Sequence, residues 1–310
     1  MKNTFFLALF LLTLTIQSYG ADYYIDSIYN AEEIGRGGVE GFSTNSQGLW
    51  SNPASLRHID KVSIGWYSAT FMDDDVDYNN YTSAFKLGSF RLGVGYYDVR
   101  SDDIELNSLD EFGEAQTDSY YTYSNSILKV ALQHPISTWG SIGTAVSKYN
   151  YSGYTLTGEG YGLDIGTVVS LPMEKIDMFH FSATFKNALS KQVAYSNDKT
   201  EDIPASIFLS GKADISDRLN IYLQRTINFN KAQLSGCGVS YYPWKTDVVA
   251  LSLSLGASNY LQIRDPQKTR TSYSAGLGLK LAQLEFHFAY QHDPNADSEK
   301  QYFYTTVINI

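Results

Sequence analysis

The side chains of this chain that could do chemistry are scattered, yet they share a pattern. Arg91, Lys129, Asp164, His180, Lys186, Lys212, Lys280, Glu285 and His287 each fall on the small or polar side of a short alternating segment. A mixed-sign set turned toward one interior forms ion pairs or stays solvated in a wet cavity. The same residues would also serve a polar conduit or hold a ligand headgroup. The 5 histidines lie far apart, and none has the HExxH spacing of a zinc hydrolase. A Ser-His-Asp triad can be drawn from the inventory, but no GxSxG elbow marks a nucleophile. Met72-Asp73-Asp74-Asp75-Val76-Asp77 gathers carboxylates that a hard cation would accept. It lacks the spacing and glycine of an EF-hand loop and reads as a solvated turn. Cys237 is the single cysteine, which leaves no disulfide framework and no cysteine-rich metal site. The sequence therefore assigns no catalytic residue, no metal and no cofactor.

The elements that must position these residues are short alternating strands. Val62, Ile64 and Trp66 oppose Ser63, Gly65 and Tyr67; Phe90, Leu92, Val94 and Tyr96 oppose Arg91, Gly93, Gly95 and Tyr97. The contrast returns with Leu128, Val130 and Leu132 against Lys129 and Gln133, and with Leu163, Ile165 and Val169 against Asp164, Gly166 and Ser170. Bulky apolar residues on one face and small or charged ones on the other are the pattern of a membrane barrel, with lipid outside and a wet lumen within. Counting such segments from residue 61 to residue 310 gives about 14 strands, an even number suited to an outer-membrane barrel. Short connections, as at Gly88-Ser89 and Ala282-Gln283, alternate with long polar stretches at residues 101–123, 149–160 and 258–270. That alternation predicts short turns on one rim and long loops on the other. Arg225 breaks the pattern, falling on the apolar face with Ile221, Leu223 and Ile227. Its cost of roughly 2–4 kcal/mol at mid-bilayer predicts a place near the outer rim or a bulge that redirects it.

Residues 1–20 have the short positive start, apolar run and small-residue end of a secretory signal peptide. No later run approaches the roughly 18 apolar residues of a spanning helix. With 25 Tyr among 310 residues and a net charge of -10, the chain has the aromatic content of a barrel, and it lacks the basic surface that nucleic acid requires.

One stretch, residues 33–56, is neither leader nor strand. It is glycine-dense at Gly35, Gly37, Gly38 and Gly41, polar in its middle, and closes on Trp50-Ser51-Asn52-Pro53-Ala54. No strand, helix and Gly-Lys-Ser/Thr surround GRGGVEG, so its glycines read as tight turns and close packing rather than a phosphate cradle. Asn52-Pro53-Ala54 fixes a turn, which would also anchor the segment where a ligand passes. This run, placed between a signal peptide and a series of strands, resembles the amino-terminal region of the FadL-like outer-membrane proteins, and within them the PorV/PorQ-type barrels. Ser43-Thr44-Asn45-Ser46 stands where relatives often carry an acidic pair, and Ile310 stands where the usual assembly signal has an aromatic residue.

The resemblance implies an all-β fold: a transmembrane antiparallel barrel over residues 61–310, with residues 21–60 as a plug in its lumen. It implies a bacterial outer-membrane location in contact with lipid, and no enzyme activity. The leading functional expectation is docking or delivery of exported proteins in a type IX-like secretion process, for which the acidic, aromatic stretch 101–123 is the supporting feature. The alternative is FadL-like transport of hydrophobic small molecules such as fatty acids. That role calls for a continuous apolar pocket at the external mouth, and the sequence does not assemble one.

Overall fold

The computed structural model describes residues 30–71, 76–109, 115–174, 176–229, 233–262, 265–292, 294 and 301–310. The expected leader, most of the Met72–Asp77 carboxylate cluster and the short connection at residues 230–232 lie outside the described residues. The strands are β1 (Val62–Phe71), β2 (Val76–Leu87), β3 (Phe90–Leu109), β4 (Ala115–Pro135), β5 (Gly140–Gly153), β6 (Leu156–Pro172), β7 (Met178–Tyr195), β8 (Thr200–Glu201), β9 (Ser206–Ser216), β10 (Leu219–Asn228), β11 (Leu234–Lys245), β12 (Val249–Gln262), β13 (Asp265–Leu281), β14 (Leu284–His292) and β15 (Gln301–Asn309). All but the two-residue β8 are staves of a closed antiparallel barrel of 14 strands among the described residues. Each stave pairs with its sequence neighbour, and β1 closes the ring on β15, with Ser63 opposite Asn309 and Thr70 opposite Tyr302. Closure leaves no stave without a neighbour on either side among the described residues, the condition a β structure must meet in lipid.

The alternation predicted from sequence sets the two faces. Ile64, Trp66, Val94, Tyr96, Leu128, Val130, Leu253 and Leu255 point outward and are exposed, forming the apolar belt that faces acyl chains. Ser63, Tyr67, Gln133, Ser147 and Thr184 alternate with such residues and are buried inside. Arg225 keeps its outward position without a bulge. It lies close to the outer end of β10, where its Nη1 donates to Ser235 Oγ at 2.8 Å. The rim placement expected from its cost is the one observed.

The short turns gather on one rim as predicted, but the long polar stretches are mostly strand. β3 and β4 remain paired from Ser101 opposite Tyr123 out to Leu109 opposite Ala115, and β5 and β6 pair out to Gly153 opposite Leu156. Sequence alternation missed these extensions because above the bilayer both faces of a ribbon meet water, and the apolar-polar contrast disappears.

Residues 30–59 run through the lumen and are buried almost throughout. They form helix α1 (Ala31–Gly35), helix α2 (Gly48–Ser51) and a 3-10 turn (Pro53–His58). Asn30 caps α1 by accepting the Glu33 N–H at 2.9 Å, and Pro53 opens the 3-10 turn where its missing N–H costs nothing.

Candidate functional site in the lumen

The lumenal segment touches the wall where the wall has no side chains. A methyl group on Gly256 would lie 2.0 Å from the Gly37 nitrogen, and one on Gly238 would lie 2.2 Å from the Arg36 carbonyl oxygen. A methyl group on Gly35 would lie 2.8 Å from the Gly276 Cα. Gly37, Gly38 and Gly41 also adopt positive φ, which L side chains rarely accept. The Asn-Pro-Ala turn is seated in the same way: Gly143 faces Pro53 and Ala54, and Gly166 faces Asn52. Asn52 accepts the Ala54 N–H at 2.9 Å, while its Nδ2 donates to Ser182 Oγ at 2.8 Å and to the Thr167 carbonyl at 3.1 Å. Every member of the glycine and Trp-Asn-Pro-Ala set thus lies within the lumenal segment, against or beside the wall.

The nine polar residues singled out from sequence all face inward, and most are paired. Lys129 Nζ bonds Asp164 Oδ2 at 2.7 Å and lies 5.3 Å from the centre of the Trp50 ring. Lys186 reaches Glu40 of the lumenal segment at 2.8 Å. Arg91 Nε donates to the Ile59 carbonyl at 3.2 Å. Glu285 accepts from Asn45 Nδ2 and Asn309 Nδ2, both at 3.0 Å, with His287 3.9 Å away. Lys280, Glu285 and His287 line a polar cavity of about 230 Å³ with Ser252, Tyr242 and Lys245, toward the short-turn rim. The set is therefore not one site but several, distributed around the ring.

At the same rim His180 and Lys212 meet two residues that the sequence did not single out as a pair. Ser170 Oγ lies 2.8 Å from His180 Nδ1, His180 Nε2 lies 2.9 Å from Asp214 Oδ2, and Lys212 Nζ lies 3.0 Å from Asp214 Oδ1. The three strands β6, β7 and β9 bring them together: Ser170 is the register partner of His180, and His180 that of Lys212. His58, at the end of the lumenal segment, is exposed beside this group.

An apolar cluster occupies the outer part of the lumen, above Trp50. Tyr97, Val99, Ile127, Tyr149, Val193 and Ile203 are buried there with Leu49 and Trp50, and Val76, Tyr78 and Tyr195 pack against them. Sequence reading missed this cluster because its members are one or two inward residues from each of several strands, hidden among outward aromatics such as Tyr96 beside Tyr97. The adjacent wall is irregular. Asn187 on β7 has φ of 52°, the β6–β7 register shifts near Leu163, and the Asn187 N–H donates to Asp164 Oδ1 at 2.8 Å instead of to a strand. Beyond Lys186, β7 has no register partner in β9, and the lumenal Ile203 lies on the segment crossing that gap. Tyr149 Oη donates to Asn187 Oδ1 at 2.8 Å, tying the cluster to the irregular strand.

No known family matches the sequence, and no curated protein does. Solved structures match its shape. The toluene transporter TodX of Pseudomonas putida aligns with a TM-score of 0.64 at 10% identity, over 91% of this chain and 98% of that chain. The toluene transporter TbuX of Ralstonia pickettii aligns at 0.59 and 10% identity, over 90% and 97%. A FadL homologue of Pseudomonas aeruginosa aligns at 0.53 and 11%, over 94% and 100%. Identities this low speak for the fold alone, a closed antiparallel barrel shared with these proteins.

Proposed function

We propose that this barrel lies in the bacterial outer membrane and passes small hydrophobic molecules across it. The observation that carries this reading is the aromatic and aliphatic cluster over Trp50, set against the irregular wall at Asn187. A hydrophobic solute requires apolar surface that is reachable from outside and a way past the lumenal segment, and small-molecule sites have that mostly apolar lining. The shape shared with two toluene transporters supports the same reading. It reverses the order expected from sequence, which placed docking of exported proteins first.

The test is uptake of a neutral aromatic hydrocarbon and of a fatty acid into liposomes holding the intact protein or Ile127→Asn. The amide takes about 1.5–3 kcal/mol of apolar contact away from a passing solute, so uptake should fall at least roughly tenfold. Equal uptake by both proteins, at the rate of empty liposomes, would remove the transport reading. Docking of exported proteins is the second reading, favoured by the exposed ribbon of β3 and β4 with its carboxylates Asp102, Asp103, Glu105 and Asp118. Binding of exported proteins by the intact barrel, lost when the ribbon is shortened, would favour it.

A further inference from the structure

We propose that the short-turn mouth of the lumen is an ester-hydrolysing site, with Ser170 as nucleophile and His180 as its base. The residues form one hydrogen-bonded line from Ser170 Oγ through both imidazole nitrogens to Asp214. Asp214 is an acceptor only, so the proton between it and the ring resides on His180 Nε2. That leaves Nδ1 as the free base facing the Ser170 hydroxyl. The roles are those of a Ser-His-Asp triad with the two ring nitrogens exchanged, and such triads are recognised by geometry and role rather than by chain order. Asp214 is itself fixed by Lys212.

A candidate for stabilising the oxyanion lies beside the nucleophile. The Ser170 N–H donates to the Trp139 carbonyl at 2.7 Å, and Arg57 Nη2 donates to the adjacent Thr138 carbonyl at 2.9 Å. Arg57 Nη1 makes no hydrogen bond and is covered from solvent, so it meets developing negative charge only once substrate entry uncovers it. Phe42 packs edge-on to His180 at 6.5 Å between ring centres and against Tyr222 at 6.2 Å, which gives an acyl chain an apolar wall. Ser170, His180 and Asp214 are only partly buried, so water reaches them.

The reaction balances without a cofactor. Ser170 Oγ bonds to the ester carbonyl carbon as its proton passes to His180 Nδ1, and the carbonyl π pair moves onto oxygen. Collapse of that adduct breaks the bond to the alcohol oxygen, which takes the proton from Nδ1. Water then repeats the attack on the acyl-serine with His180 as base, releasing a carboxylic acid and restoring Ser170. The inference does not depend on the transport reading, because the line shares no residue with the apolar cluster over Trp50.

The experiment treats the folded barrel in detergent with a fluorophosphonate and maps the adduct by mass spectrometry. It then follows p-nitrophenyl butyrate and octanoate hydrolysis by the wild type, Ser170→Ala, His180→Ala and Asp214→Asn, with retention of the folded form checked by heat-modifiable gel mobility. A label on Ser170 is expected, together with a loss of roughly 10²–10⁴-fold in kcat for Ser170→Ala. Asp214→Asn, as a positioning change, should lower kcat with KM little altered. An unlabelled Ser170 in folded wild type, or hydrolysis unchanged in Ser170→Ala, would overturn the proposal and assign the line to bracing the rim.

Discussion

At the scale of single residues, the lumen is governed by the cost of buried charge. Lys129 and Asp164 have side chains 5% and 2% exposed, and Asp164 also accepts the Asn187 N–H. Removing one partner strands the other, which costs about 3–5 kcal/mol, whereas replacing both with apolar residues is often near neutral. Lys129→Met should therefore lower the urea midpoint strongly, and Lys129→Met with Asp164→Leu should recover part of the loss. Glu33 supplies a pH prediction. Burial pushes its carboxyl up, against the pull of Arg36, so its folded value lies above the usual 4.5. An acid raised on folding destabilises the native state at pH above its folded value, and that cost vanishes as pH falls to the unfolded value. Glu33→Gln keeps the Oε1 acceptor for Ser43 and Gly41 while removing the charge, and Arg36 is not stranded because its closer carboxylate is Glu32 at 2.7 Å rather than Glu33 at 3.6 Å. The variant should be more stable than wild type at pH 8, and the difference should close near pH 4.5. Unfolding midpoints of both proteins across that range provide the measurement.

At the scale of elements, the strands were legible and the contacts between them were not. Period-two alternation locates β1, β3, β6 and β12 because half of each strand faces lipid and half a wet lumen, and that contrast is written in adjacent residues. The outer ribbon of β3 and β4 escapes the same reading, since neither of its faces meets lipid. The cluster of Tyr97, Ile127, Tyr149 and Val193, and the line of Ser170, His180 and Asp214, depend on the register between neighbouring strands, which alternation within one strand does not fix. His180 was marked as lumenal, yet nothing in its neighbours announced Asp214, 34 residues further on. The wall glycines offered an unused signal: Gly236, Gly238 and Gly256 fall on inward positions, where a lumenal backbone can approach. Gly256→Ala should displace the segment at Gly37 and cost about 1–3 kcal/mol by overpacking. Gly88→Ala is the control. It has no neighbour within 4 Å and a φ of 62°, so it strains only its own turn by roughly 1–2 kcal/mol. Limited proteolysis should release the lumenal segment from Gly256→Ala and spare it in Gly88→Ala.

At the scale of the whole molecule, carboxylates crowd the outer ribbon, whereas the short-turn rim carries both signs, with Asp177, Asp214, Asp217, Asp247 and Glu285 among its lysines and arginines. The outer ribbon carries Asp102, Asp103, Glu105 and Asp118, while Arg57, Arg91, Lys212, Lys245 and Lys280 lie toward the short-turn rim. Arg100 pairs with Asp102 at 2.8 Å, but both are about half exposed, so salt screens them. A neutral hydrocarbon has no net charge for this field to act on, and on the transport reading its passage would be set by the apolar cluster and the irregular wall. A basic protein partner would instead be steered by the ribbon, with an association rate that falls steeply as ions screen it. The two readings therefore separate on ionic strength. Between about 0.01 M and 1 M salt the screening length shrinks from roughly 30 Å to 3 Å, yet hydrocarbon uptake by a transporter should change less than about twofold. Capture of a partner through the ribbon should weaken at least tenfold over the same range. Uptake that collapses with salt would mean that the solute path runs through the charged groups rather than over Trp50 and Tyr149.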